Sequence, residues 1–169
     1  PKSMNTHLFL LEARFSLYKI YKNDFVKVRL IEMISIFIDK IIRDDSHLGI
    51  FFDEKFEEAE TSKGIYSFGH EIEASWLLLE AAYNLEDQEI KEKLVPKLIQ
   101  MIDAVKREGL DSDGGLFLES TRFGTHLRTN KHWWLQAENL VGFFNAFQMT
   151  KNLEYWEIVK KAGSLFTIK

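Results

Sequence analysis

The residues best suited to proton chemistry are His70 and Glu73, in the run Gly69-His70-Glu71-Ile72-Glu73. If that run is helical, the i, i+3 spacing puts both side chains on one face. A carboxylate beside an imidazole fixes its tautomer and raises its basicity, as a general base near neutral pH requires. The spacing alone is weak, because helices also bring such pairs together for structural reasons. His7 follows Asn5-Thr6 and opens an earlier helical stretch. Lys131-His132-Trp133-Trp134-Leu135-Gln136-Ala137-Glu138 is dense in aromatic and polar groups. One of its tryptophans reads as core and the other as a stacking wall. Glu138 would accept hydrogen bonds from hydroxyls, a combination that suits a carbohydrate or another polyol.

Other constellations are set aside. Asp111-Ser112-Asp113-Gly114 starts like a calcium loop, but the EF-hand glycine and distal glutamate are out of place. There is no His-Glu-x-x-His run, and His126 and His132 do not stand at i, i+4, so no metal site is expected. Asp113-Gly114-Gly115 precedes a strand-like run rather than a helix, which argues against a phosphate loop. Without cysteine, neither a disulfide framework nor a thiolate site can form, in agreement with a reducing cytoplasm. No cofactor is expected.

These residues must be positioned by helices. Only Pro1 and Pro96 break the pattern, which favours long helices. Leu8, Leu11, Phe15 and Tyr18 mark one apolar face, with Asn5 as a candidate N-cap. A second helix is predicted from Asn23-Asp24 to near Arg43, along Phe25, Val28, Ile31, Ile34, Ile38 and Ile41. Further helices are predicted over 69–84, 87–107 with a kink or break at Pro96, 131–149, and from Asn152 to the chain end. His47–Phe52 reads as one strand of a small hairpin, Glu54–Gly64 as a solvated loop, and Asp113–Leu118 as a second loop. Mixed charges with a net of −4 give no basic nucleic-acid footprint, and no apolar run is long enough to span a bilayer.

The chain repeats itself. Leu30–Ile34 recurs as Leu98–Ile102 and Glu12-Ala13 as Glu80-Ala81, 68 positions on; Gly49-Ile50-Phe51 recurs as Gly115-Leu116-Phe117, 66 positions on. Each unit is a helical hairpin followed by a loop with a short strand. The first helix of each pair carries the unusual polar residues, which suits a ring with an inner and an outer layer. His7, His70 and Trp133 are spaced 63 apart, near the starts of successive inner helices, and are expected in one mouth.

Three segments together resemble the N-acylglucosamine 2-epimerase superfamily: Asn5-Thr6-His7-Leu8 with Leu11-Glu12-Ala13, Gly69–Glu73 with Trp76-Leu77-Leu78-Glu80-Ala81, and Lys131–Glu138. The first two look most like the cellobiose/mannobiose 2-epimerase branch. The resemblance implies an all-α fold, about three helical hairpins of an (α/α)6 toroid, with short β-hairpin insertions. It implies epimerisation at C2 of a reducing-end sugar through an enediolate. His70 would then be one of two proton-transfer residues. Glu73 would orient it or bind a hydroxyl, and His7 would assist ring opening or hold the sugar near O1 and O5. Trp133, Trp134, Glu138 and Asn5 would contact the sugar. The family's second acid/base histidine belongs to a later helix and its substrate-clamping arginine to an earlier one, so residues 1–169 read as one partial domain cut at both ends. Such a piece would be inactive alone and prone to self-association. Phe9 stands where disaccharide epimerases often carry another histidine. Alternatives are an N-acylglucosamine 2-epimerase or aldose-ketose isomerase, a glycan hydrolase or lyase with two carboxylates, and a non-catalytic sugar-binding module.

Overall fold

A computed structural model describes residues 1–121 and 126–166, without the side chains of His126 and Leu127. Among these residues six α-helices form three antiparallel hairpins. They are α1 (Met4–Ile20) with α2 (Asp24–Ile36), α3 (Phe68–Leu85) with α4 (Gln88–Glu108), and α5 (Trp133–Thr150) with α6 (Leu153–Ser164). Helix α2 runs on through a π-helical turn, Phe37–Ile41. Capping sets most starts: the side chains of Asn23, Asp87 and Asn152 accept from the backbone N–H of Phe25, Ile90 and Glu154. Helix α1 is capped by Ser3, whose Oγ accepts from Thr6 N–H at 3.2 Å, so the cap expected at Asn5 lies two residues earlier. Pro96 neither breaks nor ends α4.

The first helices pack side by side in the order α1, α3, α5, with α2, α4 and α6 behind them as a second layer. Apolar side chains fill the space between layers in two clusters that meet at α3. The stripe expected on α2 holds at Ile31, Ile34, Ile38 and Ile41, which are buried or packed on the core, and fails at its start. Val26, Leu30, Met33 and Ile34 are buried, whereas Phe25 and Val28 are exposed. The last helix stops at Ser164, and residues 167–169 lie outside the described part.

Short strands tie the loops together. β1 (Lys2–Ser3) pairs antiparallel with β2 (Phe51–Phe52), and β3 (Ile65–Ser67), β4 (Glu119–Thr121) and β5 (His126–Arg128) form a three-stranded antiparallel sheet. β4–β5 is a local hairpin, whereas β1–β2 closes across the α1–α2 hairpin and β3–β4 across the α3–α4 hairpin. Glu54–Gly64 is partly buried rather than simply solvated: Ser62 is buried, and Glu58 pairs with Arg43 at 2.8 Å.

The structure resets the register of the repeat. In the first loop Ile42 bridges Leu48, and Arg43, Ser46 and Gly49 donate backbone N–H bonds to His47, Arg43 and Ile41. In the second, Leu110 bridges Leu116, and Asp111, Gly114 and Phe117 bond to Gly115, Asp111 and Gly109. Each pair is related by 68 positions, so Gly49 corresponds to Phe117 and not to Gly115. Positive φ falls at matching places, Ser46 and Gly114. On the inner helices, His7 is the fourth residue of α1, His70 the third of α3, and Trp133 the first of α5. The three are not structural equivalents.

Candidate active site

Strand β3 runs straight into α3 through Ser67, which leaves His70 in the first turn of a helix flanked on both sides. Ser67 Oγ lies 2.8 Å from His70 Nδ1. This contact, rather than Glu73, fixes the imidazole: no hydrogen bond joins His70 and Glu73 among the described residues. Burial pulls the pKa of His70 below its ordinary value, so the ring is neutral at physiological pH. The indole of Trp134 leans against it at 5.1 Å between centroids. His70 opens onto a cavity of about 500 Å³, shared with Ser3, Asn5, Ser67, Glu119 and Arg128.

Deeper along the inner helices a second cluster forms. Glu73 on α3 is pushed up to about 7, first by burial, then by the charges of Glu138 and Glu12. Glu138 on α5 is raised by burial, against the bond from Trp76, with Glu12 on α1 adding to the rise. Trp76 Nε1 donates to Glu138 Oε2 at 2.7 Å. Three successive inner helices thus turn carboxylates toward one another, and near neutral pH Glu73 is a mixed population of acid and carboxylate. Such a group both donates to and accepts from a hydroxyl.

The remaining candidates separate. Asn5 is exposed and lines the His70 cavity. His7 is committed elsewhere on one side: its Nδ1 is 2.7 Å from Ser3 O and its ring meets Phe56 edge-on. Trp134 is the half-buried member of its pair, whereas Trp133 is 78% exposed. The aspartates of the calcium-like loop hold an ammonium: Lys131 Nζ is 2.5 Å from Asp111 and 2.7 Å from Asp113. Sequence reasoning missed Ser67, Trp76 and Glu12 as site residues. Ser67 carried a signal, a hydroxyl three residues before His70; the meeting of Glu12 with Glu73 and Glu138 needed the packing of helices.

Residues 1–167 match the family model of N-acylglucosamine 2-epimerase (GlcNAc 2-epimerase). The chain belongs to this family. Among similar proteins, a cellobiose 2-epimerase of Bacteroides fragilis is 38% identical over 95% of this chain and 42% of its own length. Among solved structures, cellobiose 2-epimerase from Bacillus thermoamylovorans superposes with a TM-score of 0.86 at 31% identity, over 96% of this chain and 40% of that one. A sugar epimerase from a ruminal bacterium gives 0.89 at 31%, over 97% and 41%. The three hairpins are therefore those of an (α/α)6 toroid. The chain spans about two fifths of the length of these relatives.

Proposed function

We propose that this chain carries one half of the proton-transfer machinery of a sugar 2-epimerase. That enzyme interconverts glucose and mannose configuration at C2 of the reducing end of a disaccharide of the cellobiose or mannobiose type. The observation that carries the reading is a neutral, half-buried His70, held at Nδ1 by Ser67 and facing a cavity. In the open-chain sugar the C2–H bond breaks, its proton passes to the free ring nitrogen of His70, and the electron pair moves onto O1 as an enediolate. A second group on the opposite face of C2 returns a proton there, and the aldehyde reforms with inverted configuration. A base that starts neutral near pH 7 suits this step.

The other residues take supporting roles. Trp134 walls the sugar next to His70, with exposed Trp133 as an outer stacking surface. Glu73, Glu138 and Glu12 bind hydroxyls, aided by the proton that Glu73 retains. Asn5 contacts the sugar from the cavity rim, and His7 uses its remaining ring nitrogen near O1 and O5. No cofactor takes part in this scheme.

Solvent deuterium incorporation at C2 of cellobiose, followed by NMR with the whole protein, tests the reading. His70→Asn is expected to slow it by about 10²–10⁴-fold; exchange at the wild-type rate overturns the role of His70. The paired carboxylates Glu73 and Glu138 also fit a glycoside hydrolase, and release of glucose without any mannose-configured product would favour that reading.

A further inference from the structure

Behind His70 lies a buried ionic cluster outside the scheme above. Glu71 is fully buried. Its carboxylate accepts from Leu48 N–H at 3.3 Å and lies 3.1 Å from His47 Nδ1. The other nitrogen of that ring, Nε2, is 3.3 Å from Glu108 Oε2 at the end of α4. His47 is 2% exposed and stacks flat on Tyr66, with centroids 3.6 Å apart and planes 5° from parallel. Tyr66 OH donates to Asp45 at 3.0 Å, and Arg43 lies over the far side of the cluster, 5.0 Å from the Tyr66 ring, paired with Asp45 and Glu58.

The placement is specific. Ser67 and His70 form the pair that sets the base, and their outer neighbours are Tyr66 and Glu71. His47 touches both, one by stacking and the other by a hydrogen bond. An imidazole with a carboxylate at each nitrogen satisfies both only when both nitrogens carry protons. The groups facing it support that state: Glu71 from α3, Glu108 from α4 and Asp45 from the loop are acidic, while Tyr66 donates its OH to Asp45 and Arg43 is already paired. Burial alone would lower the ring's pKa, but these carboxylates outweigh it and hold it above the ordinary value.

The repeat supplies an internal comparison. Gln136, like Glu71, is the fourth residue of its helix. It grips the corresponding loop residue Leu116 twice, accepting from its N–H at 2.8 Å and donating to its C=O at 2.9 Å. The residue matching His47 there is Gly115. Joining a loop to the next inner helix therefore needs no ionised group in this fold. Ions are used at the joint that adjoins His70.

We propose that His47, as an imidazolium bridging Glu71 and Glu108, is a positioning residue that aims His70 at C2. The inference rests on the assignment of His70 made above. Without the proton, Glu71 is left as a poorly compensated buried carboxylate, and the first turn of α3 relaxes. Small displacements of a base cost rate rather than binding.

The test uses the whole protein and reads both ring state and kinetics. ¹⁵N NMR of wild type at pH 7.5 is expected to show both nitrogens of His47 protonated; a neutral ring overturns the proposal whatever the variants do. His47→Gln is expected to lower kcat for C2 exchange by about 10-fold or more with KM nearly unchanged. Wild type is expected to lose kcat on the alkaline side as His47 deprotonates, and this decline should disappear in the variant. A folded His47→Gln protein with wild-type kcat and pH profile overturns the proposal. Glu71→Gln keeps the acceptor for Leu48 N–H, as Gln136 does for Leu116. It is expected to neutralise the His47 ring and reproduce the kcat loss; a ring still protonated at pH 7.5 with kcat unchanged overturns it. If His70→Asn retains exchange, the functional assignment fails instead, and the NMR result on His47 is unaffected.

Discussion

Glu73 makes a thermodynamic signature measurable without substrate. Its pKa is about 7 in the folded protein against 4.5 for a free glutamate. Between those values the folded state binds more protons than the unfolded state, so this residue's contribution to stability falls as pH rises from 4.5 to 7 and then levels off. The full swing is at most about 3 kcal/mol, at 1.36 kcal/mol per unit. Glu73→Gln removes the penalty. Urea unfolding should find the variant similar to wild type near pH 4.5 and more stable at pH 8. Equal pH slopes for the two proteins would contradict the shared acidic field. How far such residues were legible varied. His70, Glu73 and Glu138 stood out because residue type and helical spacing survive in one dimension. The spacing puts His70 and Glu73 on one helix, but sharing a face does not make a contact: a serine at the strand end reaches the ring, and Glu73 is left free for the other expected role, binding a hydroxyl. Glu71 passed unremarked inside the same run, since only the three-dimensional fold brings His47, 24 residues earlier, against it.

Helix α3 is the element on which the site depends, and it sits unusually close to α5. A Cβ on Gly69 would stand 2.7 Å from the Trp134 ring and 2.9 Å from Leu135 Cβ; one on Gly142 would stand 2.4 Å from Ile72 Cγ1. Both glycines therefore let two inner helices approach, and this brings Trp134 against His70. Gly69→Ala is expected to destabilise by about 1–3 kcal/mol through overpacking, and to change tryptophan fluorescence as Trp134 moves. Gly142→Ala should cost a similar amount and be partly rescued by Ile72→Ala, a non-additive pair in a double-mutant cycle. Additive effects would mean that the contact with Ile72 is not what limits the approach. At this scale the sequence was informative about where helices lie, since the helices begin at Asn23, Asp87 and Asn152, where starts were expected, and connections are short. It was less so about faces. On α2 a run of alternative apolar residues allowed a stripe through Phe25 and Val28, whereas the π-helical turn after Ile36 and the neighbouring helices select Val26, Leu30 and Met33.

For the molecule as a whole, the two flanks of the hairpin stack differ from its core. Phe9, Leu17, Ile20, Phe25 and Val28 are all more than two fifths exposed on α1 and α2, and Val141, Phe144, Leu153 and Phe166 are likewise exposed on the other flank. Flanks this apolar associate in water. Residues 1–169 produced alone should sediment as oligomers, and Ile20→Lys with Phe25→Lys should shift them toward monomer; a monomeric wild-type species would refute this. No helix among the described residues is long and apolar enough to cross a membrane. The hairpin count and the layered arrangement were readable from periodicity and polar asymmetry. The strand pairings that close across each helical hairpin were not, because two- and three-residue strands carry almost no pattern of their own.

The joints between hairpins have a further implication for protein engineering. The turn at residues 42–49 and the turn at 110–117 share a backbone bonding scheme residue for residue, yet the return to the following helix takes 23 residues from Leu48 to Glu71 and 20 from Leu116 to Gln136. The joint behaves as a standard connector whose outgoing lead varies in length. Transplanting 110–116 in place of 42–48, which keeps Gly49 where a Cβ would stand 2.5 Å from the Phe52 ring, should therefore preserve the chain path while replacing His47 by glycine. Such a chimera separates architecture from electrostatics in a single protein.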